Sequence, residues 1–316
     1  MTVAVIAVVG PTAVGKSAAA IELARRLGGE VVNADSMQLY RGMDIGTAKL
    51  APADRGGVAH HLLDVLDVRE TATVAGYQAL ARATIDGLLA RGIPPVLVGG
   101  SGLYLQAALD ALTFPGTDAE IRLTLEAELA ELGAEALHAR LVELDPDAAA
   151  KIHPANGRRT VRALEVITLT GEPYSASGPG MTAYQAHYRA QLLGLDLPTD
   201  VLDERIAQRV DRMWAAGLVD EVRTLAARGL RDGVTASRAL GYAQVLALLA
   251  GDYDEAEARA RTIAATRRYV RRQRSWFRRD PRILWHDDAS ELVNGAVEMA
   301  RPGYIGLPGV KGTLQP

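Results

Sequence analysis

The 316-residue chain contains no cysteine, which excludes disulfides, thiolate metal sites and cysteine nucleophiles. Long hydrophobic runs are missing too. The apolar stretch at 3–9 is seven residues long, far below the ~20 a membrane helix needs. It has no basic flank and leads into a glycine-rich loop rather than a cleavage site, so it does not read as a signal peptide. The expectation is a soluble, cytoplasmic protein with no membrane partner. A strong charge of one sign is lacking as well: the formal net charge is −3, so any surface for nucleic acid has to be local. Lysine is scarce, four residues against 31 arginines. A GC-rich genome accounts for that skew, yet it makes Lys16 and Lys49 candidates for specific roles. There is no guanine-reading N-K-x-D, and no second apolar strand ends in the acidic pair of helicase-like ATPases.

What is present is a chain 48% hydrophobic, long enough for a substantial core. Short apolar runs at 3–9, 30–34 and 94–100 each end in a turn or glycines and alternate with helical stretches. This predicts a doubly wound parallel α/β sheet. A fourth strand is expected within 187–197, after a charged region whose apolar residues fall at three- and four-residue spacing. The predicted organisation is a P-loop α/β core beginning at 1–116 and an inserted helical subdomain at 117–186. The rest of the core, with basic C-terminal helices, follows at 187–290, and a disordered Gly/Pro-rich tail at 291–316. The stretch closing the insert, "GEPYSASGPG", reads as a loop or linker.

The sharpest local signal is "GPTAVGKS": Gly10, Pro11, Thr12, Ala13, Val14, Gly15, Lys16 and Ser17. A strand precedes it and an amphipathic helix follows, the context a phosphate loop requires. Its amide groups and the helix N-terminus converge on an anion. Lys16 adds a point charge, and the Ser17 hydroxyl can ligate Mg²⁺. The ligand is a di- or triphosphate, with nucleotide or ATP binding left open. Asp35 ends the next strand, eighteen residues after Ser17. In such a sheet it overlooks the same crevice, where a carboxylate takes a proton from a nucleophile or helps hold Mg²⁺. From position alone, capping a helix that starts at Ser36 is an equal alternative.

In this order, "GPTAVGKS", "NADSMQLYRGMDIGTAK", "HHLLDV", "VLVGGSGLYLQAAL", "RRTVRALEV" and "ASRALGYAQ" resemble the bacterial tRNA dimethylallyltransferases (the IPP transferase family). The likeness runs over residues 3–285. It implies transfer of a dimethylallyl group from dimethylallyl diphosphate to the exocyclic N6 amine of the adenosine 3′ of the anticodon, in tRNAs reading U-starting codons. The phosphate loop then holds leaving diphosphate, with Mg²⁺ as cofactor and Ser17 as its ligand. By resemblance Asp35 is the general base, while Lys16, Thr12 and Arg209 act on the reacting groups. The tRNA anticodon stem-loop would be contacted by Asp35, Ser36, Met37, Gln38, Ser101 and Arg122. The segments Arg158, Arg159, Thr160, Val161, Arg162 and Arg238, Ala239, Leu240, Gly241, Tyr242 match further tRNA-contacting blocks. A monomer is expected. Val14 stands where many relatives have serine and Ser17 where many have threonine; neither change removes a backbone donor.

A basic helix is predicted at about 252–279. Ile263, Val270 and Phe277 form a stripe against the core, and Arg267, Arg271, Arg274 and Arg278 a stripe for a polyanion. Two rivals remain. A nucleoside or nucleotide kinase shares the loop and the nearby acid but leaves "DSMQLYRGMDIGTAK" unexplained. A non-catalytic, nucleotide-gated RNA-binding module needs no Asp35.

Overall fold

The computed structural model describes residues 5–176 and 183–300. Six parallel strands form one sheet in the order β3-β2-β4-β1-β5-β6. They are β1 (Val5–Val9), β2 (Glu30–Asn33), β3 (His60–His61), β4 (Pro95–Gly99), β5 (Ala190–Leu195) and β6 (Ile283–His286). The central strand β1 pairs Ile6 with Val96 of β4 and Val5 with Ala190 of β5. Its residues divide with period two: Val5, Ala7 and Val9 enter one buried cluster, Ile6 and Val8 the other. Both faces are covered by helices, which is why the strands read as continuous apolar runs. Four strands fall where the sequence predicts them. β3 is only two residues long and carries no periodic signal. β6 is an edge strand whose Leu284 and Trp285 are exposed, so it lacks the apolar run that marks the others.

Helices α1 (Lys16–Leu27), α2 (Val74–Ala90) and α3 (Gly102–Leu109) follow β1, β3 and β4. The chain then leaves the sheet for a separate compact unit, Asp110–Ala186, which begins at Asp110 rather than 117. It consists of α4 (Ala119–Leu132), α5 (Ala134–Leu144), α6 (Pro146–Ala149) and α7 (Gly157–Thr170). Leu125, Leu137, Leu141, Val161 and Leu164 form its own core. Part of the expected linker, 177–182, lies outside the described residues.

Inside this unit the Glu165 side chain is fully buried. It accepts hydrogen bonds from Arg122 (2.5 Å), Arg162 (2.8 Å) and the Asp118 N–H (3.1 Å). Burial alone would raise its pKa, but these donors outweigh it and hold the carboxyl below its usual 4.5. A carboxylate held low stabilises the fold above its unfolded pKa and loses that effect as pH falls through the folded value. Glu165→Ala should therefore cost about 1–3 kcal/mol at pH 7, by removing a buried acceptor of three hydrogen bonds, two of them from the partly exposed Arg122 and Arg162. The deficit should shrink on acidification below pH 4.5, as thermal unfolding of the two proteins across pH would read.

Back at the sheet follow α8 (Thr199–Ala215), α9 (Leu218–Ala227), α10 (Tyr242–Ala250), the long α11 (Glu255–Phe277) and α12 (Ala289–Met299). In α11, Val270 and Phe277 are buried and Ile263 is partly buried against the core. The helix α12 corrects the expected disordered tail from 291. Asp288 caps it by accepting from Ser290 and Glu291 N–H groups, and Leu292, Val293 and Ala296 pack into the same cluster as α1. The remainder of that tail, 301–316, lies outside the described residues. Among the described residues no helix is long and apolar enough to cross a membrane.

Candidate active site

Three chain segments leave the carboxyl ends of neighbouring strands together: Gly10 after β1, Asp35 after β2 and Ser101 after β4. That edge is where α/β sheets bind ligands. In the first segment, Gly10, Ala13 and Gly15 have φ of 142°, 70° and 107°. A Cβ on Gly10 would stand 2.2 Å from the Leu195 carbonyl oxygen, so only glycine lets the loop run against β5. A left-handed residue among right-handed ones turns successive amides toward one point, an anion nest, and Ala13 accepts mild strain to do so. Val14 is buried in the core beneath the loop, which accounts for an apolar residue there. Ser17 is exposed at the start of α1.

Lys16 donates to the Pro11 carbonyl at 2.6 Å. Burial lowers its pKa from 10.5 to about 7, with Asp35 pulling upward and Arg209 downward. Lysine, aspartate and arginine thus share one electrostatic neighbourhood although they lie far apart in sequence.

Asp35 does not cap a helix. A turn follows it, in which the Met37 N–H donates to Oδ1 (2.9 Å). The segment is anchored by buried Asn33. Its Oδ1 accepts from the Asp35 N–H (2.9 Å), and its Nδ2 donates to the carbonyls of Asp35 and Leu62 (3.0 Å each). Three tyrosines feel the Asp35 charge: Tyr77, Tyr104 and Tyr269. Burial, then neighbouring charge, pushes Tyr104 and Tyr269 up to about 12 and Tyr77 further. All three stay neutral phenols at working pH. The rings of Tyr77 and Tyr104 lie 4.8 Å apart.

Arg209, on α8, donates to the Thr47 carbonyl at 3.3 Å, and Gln38 donates to the same oxygen at 3.1 Å. Burial lowers the Arg209 pKa, against the pull of Asp35. Thr47 belongs to a loop clamped twice. Buried Lys49 reaches Asp64 (2.5 Å), Asp44 (2.8 Å) and the Tyr40 carbonyl (2.8 Å). Glu221 of α9 accepts from the N–H groups of Asp44, Ile45 and Gly46, at 3.2, 2.7 and 3.2 Å, and from the Tyr242 hydroxyl. The rare Lys49 therefore has a structural post, as an internal clamp.

The candidate RNA contacts separate by exposure. Ser101 Oγ accepts from the Ser36 N–H at 3.2 Å, so these two meet beside Asp35. Arg158 and Arg159 are exposed at the start of α7, whereas Thr160 and Val161 are buried. Arg122 and Arg162 are engaged by Glu165. Arg238 is exposed, and Leu240 is partly so. Ala239, Gly241 and Tyr242 are buried, with the Tyr242 hydroxyl given to Glu221. Tyr242 is thus a support for the 44–46 loop rather than a surface contact. The arginine stripe of α11 is similarly reduced. Arg267 pairs with Asp203 (3.4 Å), while Arg274 and Arg278 pair with Asp196 (2.9 and 3.2 Å). Their partners lie on α8 or just after β5, so no inspection of the helix sequence would have found them. Arg268, Arg271 and Arg272 remain exposed.

Sequence reasoning missed Glu221, Tyr269 and Gln273. Tyr269, Gln273 and Trp276 occupy one face of α11 at i, i+4 and i+7, a signal hidden among arginines. Among the described residues no group of three or more His, Asp or Glu could hold a metal ion.

Comparison with known proteins accords with this geometry. Residues 38–280 match the IPP transferase family and residues 3–70 match isopentenyl transferase. A tRNA dimethylallyltransferase of Salinispora arenicola is 64% identical over 94% of this chain and 86% of its own length. That of Mycolicibacterium smegmatis is 60% identical over 94% and 98%. The crystal structure of a tRNA isopentenylpyrophosphate transferase from Bacillus halodurans superposes with a TM-score of 0.69 at 41% identity, covering 94% and 95% of the two chains. A eukaryotic dimethylallyltransferase acting on tRNA gives 0.77 at 27% identity, covering 94% and 77%. The chain belongs to the IPP transferase family.

Proposed function

We propose that this chain transfers a dimethylallyl group from dimethylallyl diphosphate to the N6 amine of the adenosine 3′ of the anticodon, in tRNAs that read U-starting codons. It acts as a cytoplasmic monomer. The observation that carries the reading is the meeting of the phosphate loop, Lys16, Arg209 and Asp35 at one edge of the sheet, in a chain whose relatives bear that activity in their names.

The chemistry follows from the placement. The amides of residues 13–17 and the Lys16 ammonium hold the diphosphate, with the Thr12 hydroxyl beside them. As the allylic C–O bond breaks, its electron pair leaves on the diphosphate, where Lys16 and Arg209 stabilise the growing charge. The N6 lone pair forms the new C–N bond, and the N6 proton passes to Asp35. Oδ1 already accepts from the Met37 N–H, which leaves Oδ2 for that task. Ser36, Met37, Gln38 and Ser101 border the acceptor base, which has to be taken out of its stack to reach Asp35.

The residues present fit magnesium in one form: the exposed Ser17 hydroxyl would supply one ligand, and diphosphate oxygens, rather than a protein carboxylate cage, would supply most others. When bound, it would neutralise charge on the leaving group. The exposed arginines Arg158, Arg159, Arg238, Arg268, Arg271 and Arg272 serve phosphates of the stem-loop. A nucleoside kinase gains no support, since the relatives are named for prenyl transfer to tRNA and none for phosphoryl transfer.

The test is direct. The purified protein is incubated with unmodified tRNA, Mg²⁺ and radiolabelled dimethylallyl diphosphate, with ATP and a small acceptor in parallel. Label in tRNA is expected. No transfer, with turnover of ATP, would overturn the reading in favour of a kinase.

A further inference from the structure

We infer that Gln273, on the C-terminal helix α11, is a positioning residue that holds the phosphate loop and the turn beside Asp35 in a single register. The inference rests on the transferase reading above. Gln273 is buried, 4% exposed, in a helix otherwise dominated by arginine. Its Oε1 accepts from the Thr12 N–H at 2.9 Å, and its Nε2 donates to the Gly100 carbonyl at 3.0 Å. One rigid amide is therefore satisfied at both ends by the backbones of two different loops, after β1 and after β4. The fit is close, since a Cβ on Gly100 would stand 2.2 Å from Nε2.

The linkage continues. Tyr269, one turn earlier on α11, lies close enough to Gln273 and Ser101 for both to lower its hydroxyl pKa, against the larger upward push of burial. Ser101 Oγ receives the Ser36 N–H at 3.2 Å and lies 3.3 Å from Ser36 Oγ. Ser36 is the neighbour of Asp35. The loop that holds the leaving group and the turn that carries the base are thus joined through Gln273, Gly100 and its neighbour Ser101, none of which carries a charge.

The chemistry of the side chain explains the choice. Thr12 N–H needs an acceptor and Gly100 C=O needs a donor, and both meet the buried end of Gln273. A neutral amide supplies both. A carboxylate would set its negative oxygen against the Gly100 carbonyl; a protonated carboxyl restores the donor and the acceptor. Methionine fills similar space with neither. Because transfer requires the allylic carbon between the leaving oxygen and the amine, a misplacement of about 1 Å costs on the order of 10²-fold in rate.

Two variants of the full chain test this, Gln273→Met and Gln273→Glu, assayed beside the unmodified protein with tRNA and dimethylallyl diphosphate. For Gln273→Met the expected result is a kcat lower by about 10²-fold, with the KM of both substrates nearly unchanged and a thermal midpoint close to the original. For Gln273→Glu, activity relative to the unmodified protein should rise steadily as pH is lowered from 8.5 to 6. An unimpaired kcat in Gln273→Met overturns the inference. So does a flat pH ratio for Gln273→Glu, a readout that stands even if the methionine variant fails to fold. Absence of transfer by the unmodified protein would instead reject the transferase reading itself.

Discussion

Lys16→Ala is expected to bring transfer below detection. The lysine is the one side-chain cation built into the phosphate loop, half-buried where its charge is poorly screened. Its removal leaves the departing diphosphate with backbone dipoles and Arg209 alone. Losses of this kind reach about 10²–10³-fold for a single neutral donor, and a full charge should exceed them. The lysine also makes a pH prediction. Burial holds its pKa near 7, and a bound diphosphate favours the protonated form. Below pH 7 the loop is already charged. Above it, binding has to take up a proton, so affinity for dimethylallyl diphosphate should fall as pH rises, by up to about tenfold per unit. Calorimetry in two buffers of different ionisation enthalpy would detect the uptake at pH 8. It should vanish in Lys16→Ala, and an active variant, or equal proton uptake in both proteins, would remove the lysine from the mechanism.

Asp35→Asn is the second large effect. Asparagine keeps the oxygen that accepts from Met37 N–H, so the turn and the RNA-facing surface should survive. What disappears is the ability to accept the N6 proton. An aromatic amine is a poor nucleophile, and general-base assistance contributes about 10²–10⁴-fold. The expected outcome is a kcat reduced by that factor with tRNA affinity unchanged, as single-turnover transfer and a binding isotherm would show. A kcat within a few-fold of the original would mean that the proton leaves to solvent or to the diphosphate. Unchanged binding with lost turnover also removes the RNA-binding module as a rival, since such a module has no use for Asp35.

The two residues differ in how openly the sequence announces them. Lys16 sits in a run whose meaning is local: strand, glycine loop and helix are consecutive, so spacing alone specifies where the ammonium goes. Asp35 is visible as a carboxylate ending a strand, but a base and a cap have the same local appearance. The structure separates these readings through Asn33, whose side chain shapes a turn where a helix start was equally allowed. Arg209 has no local signal, being one more arginine on an amphipathic helix; only the tertiary structure sets Thr47, Lys16 and Asp35 around it.

The arginines carry the clearest lesson. From the sequence, α11 presents a cationic stripe, and the α7 start a cluster of three. In the structure Arg267, Arg274 and Arg278 are held by Asp203 and Asp196, and Arg122 and Arg162 by Glu165. A charge is free or spent according to what stands opposite it, and opposite groups come from distant parts of the chain.

The sequence by itself determined the parallel α/β core, the phosphate loop and the insertion of a helical unit, because each depends on periodicity and spacing within a few tens of residues. It also carried the family resemblance. The tertiary structure alone decided which cations remain exposed, that Tyr242 supports a loop from inside, that the chain past 290 continues as a helix, and that Gln273 joins two loops. Those outcomes depend on contacts between residues far apart in the chain, and no local pattern encodes which buried donor will meet which acceptor.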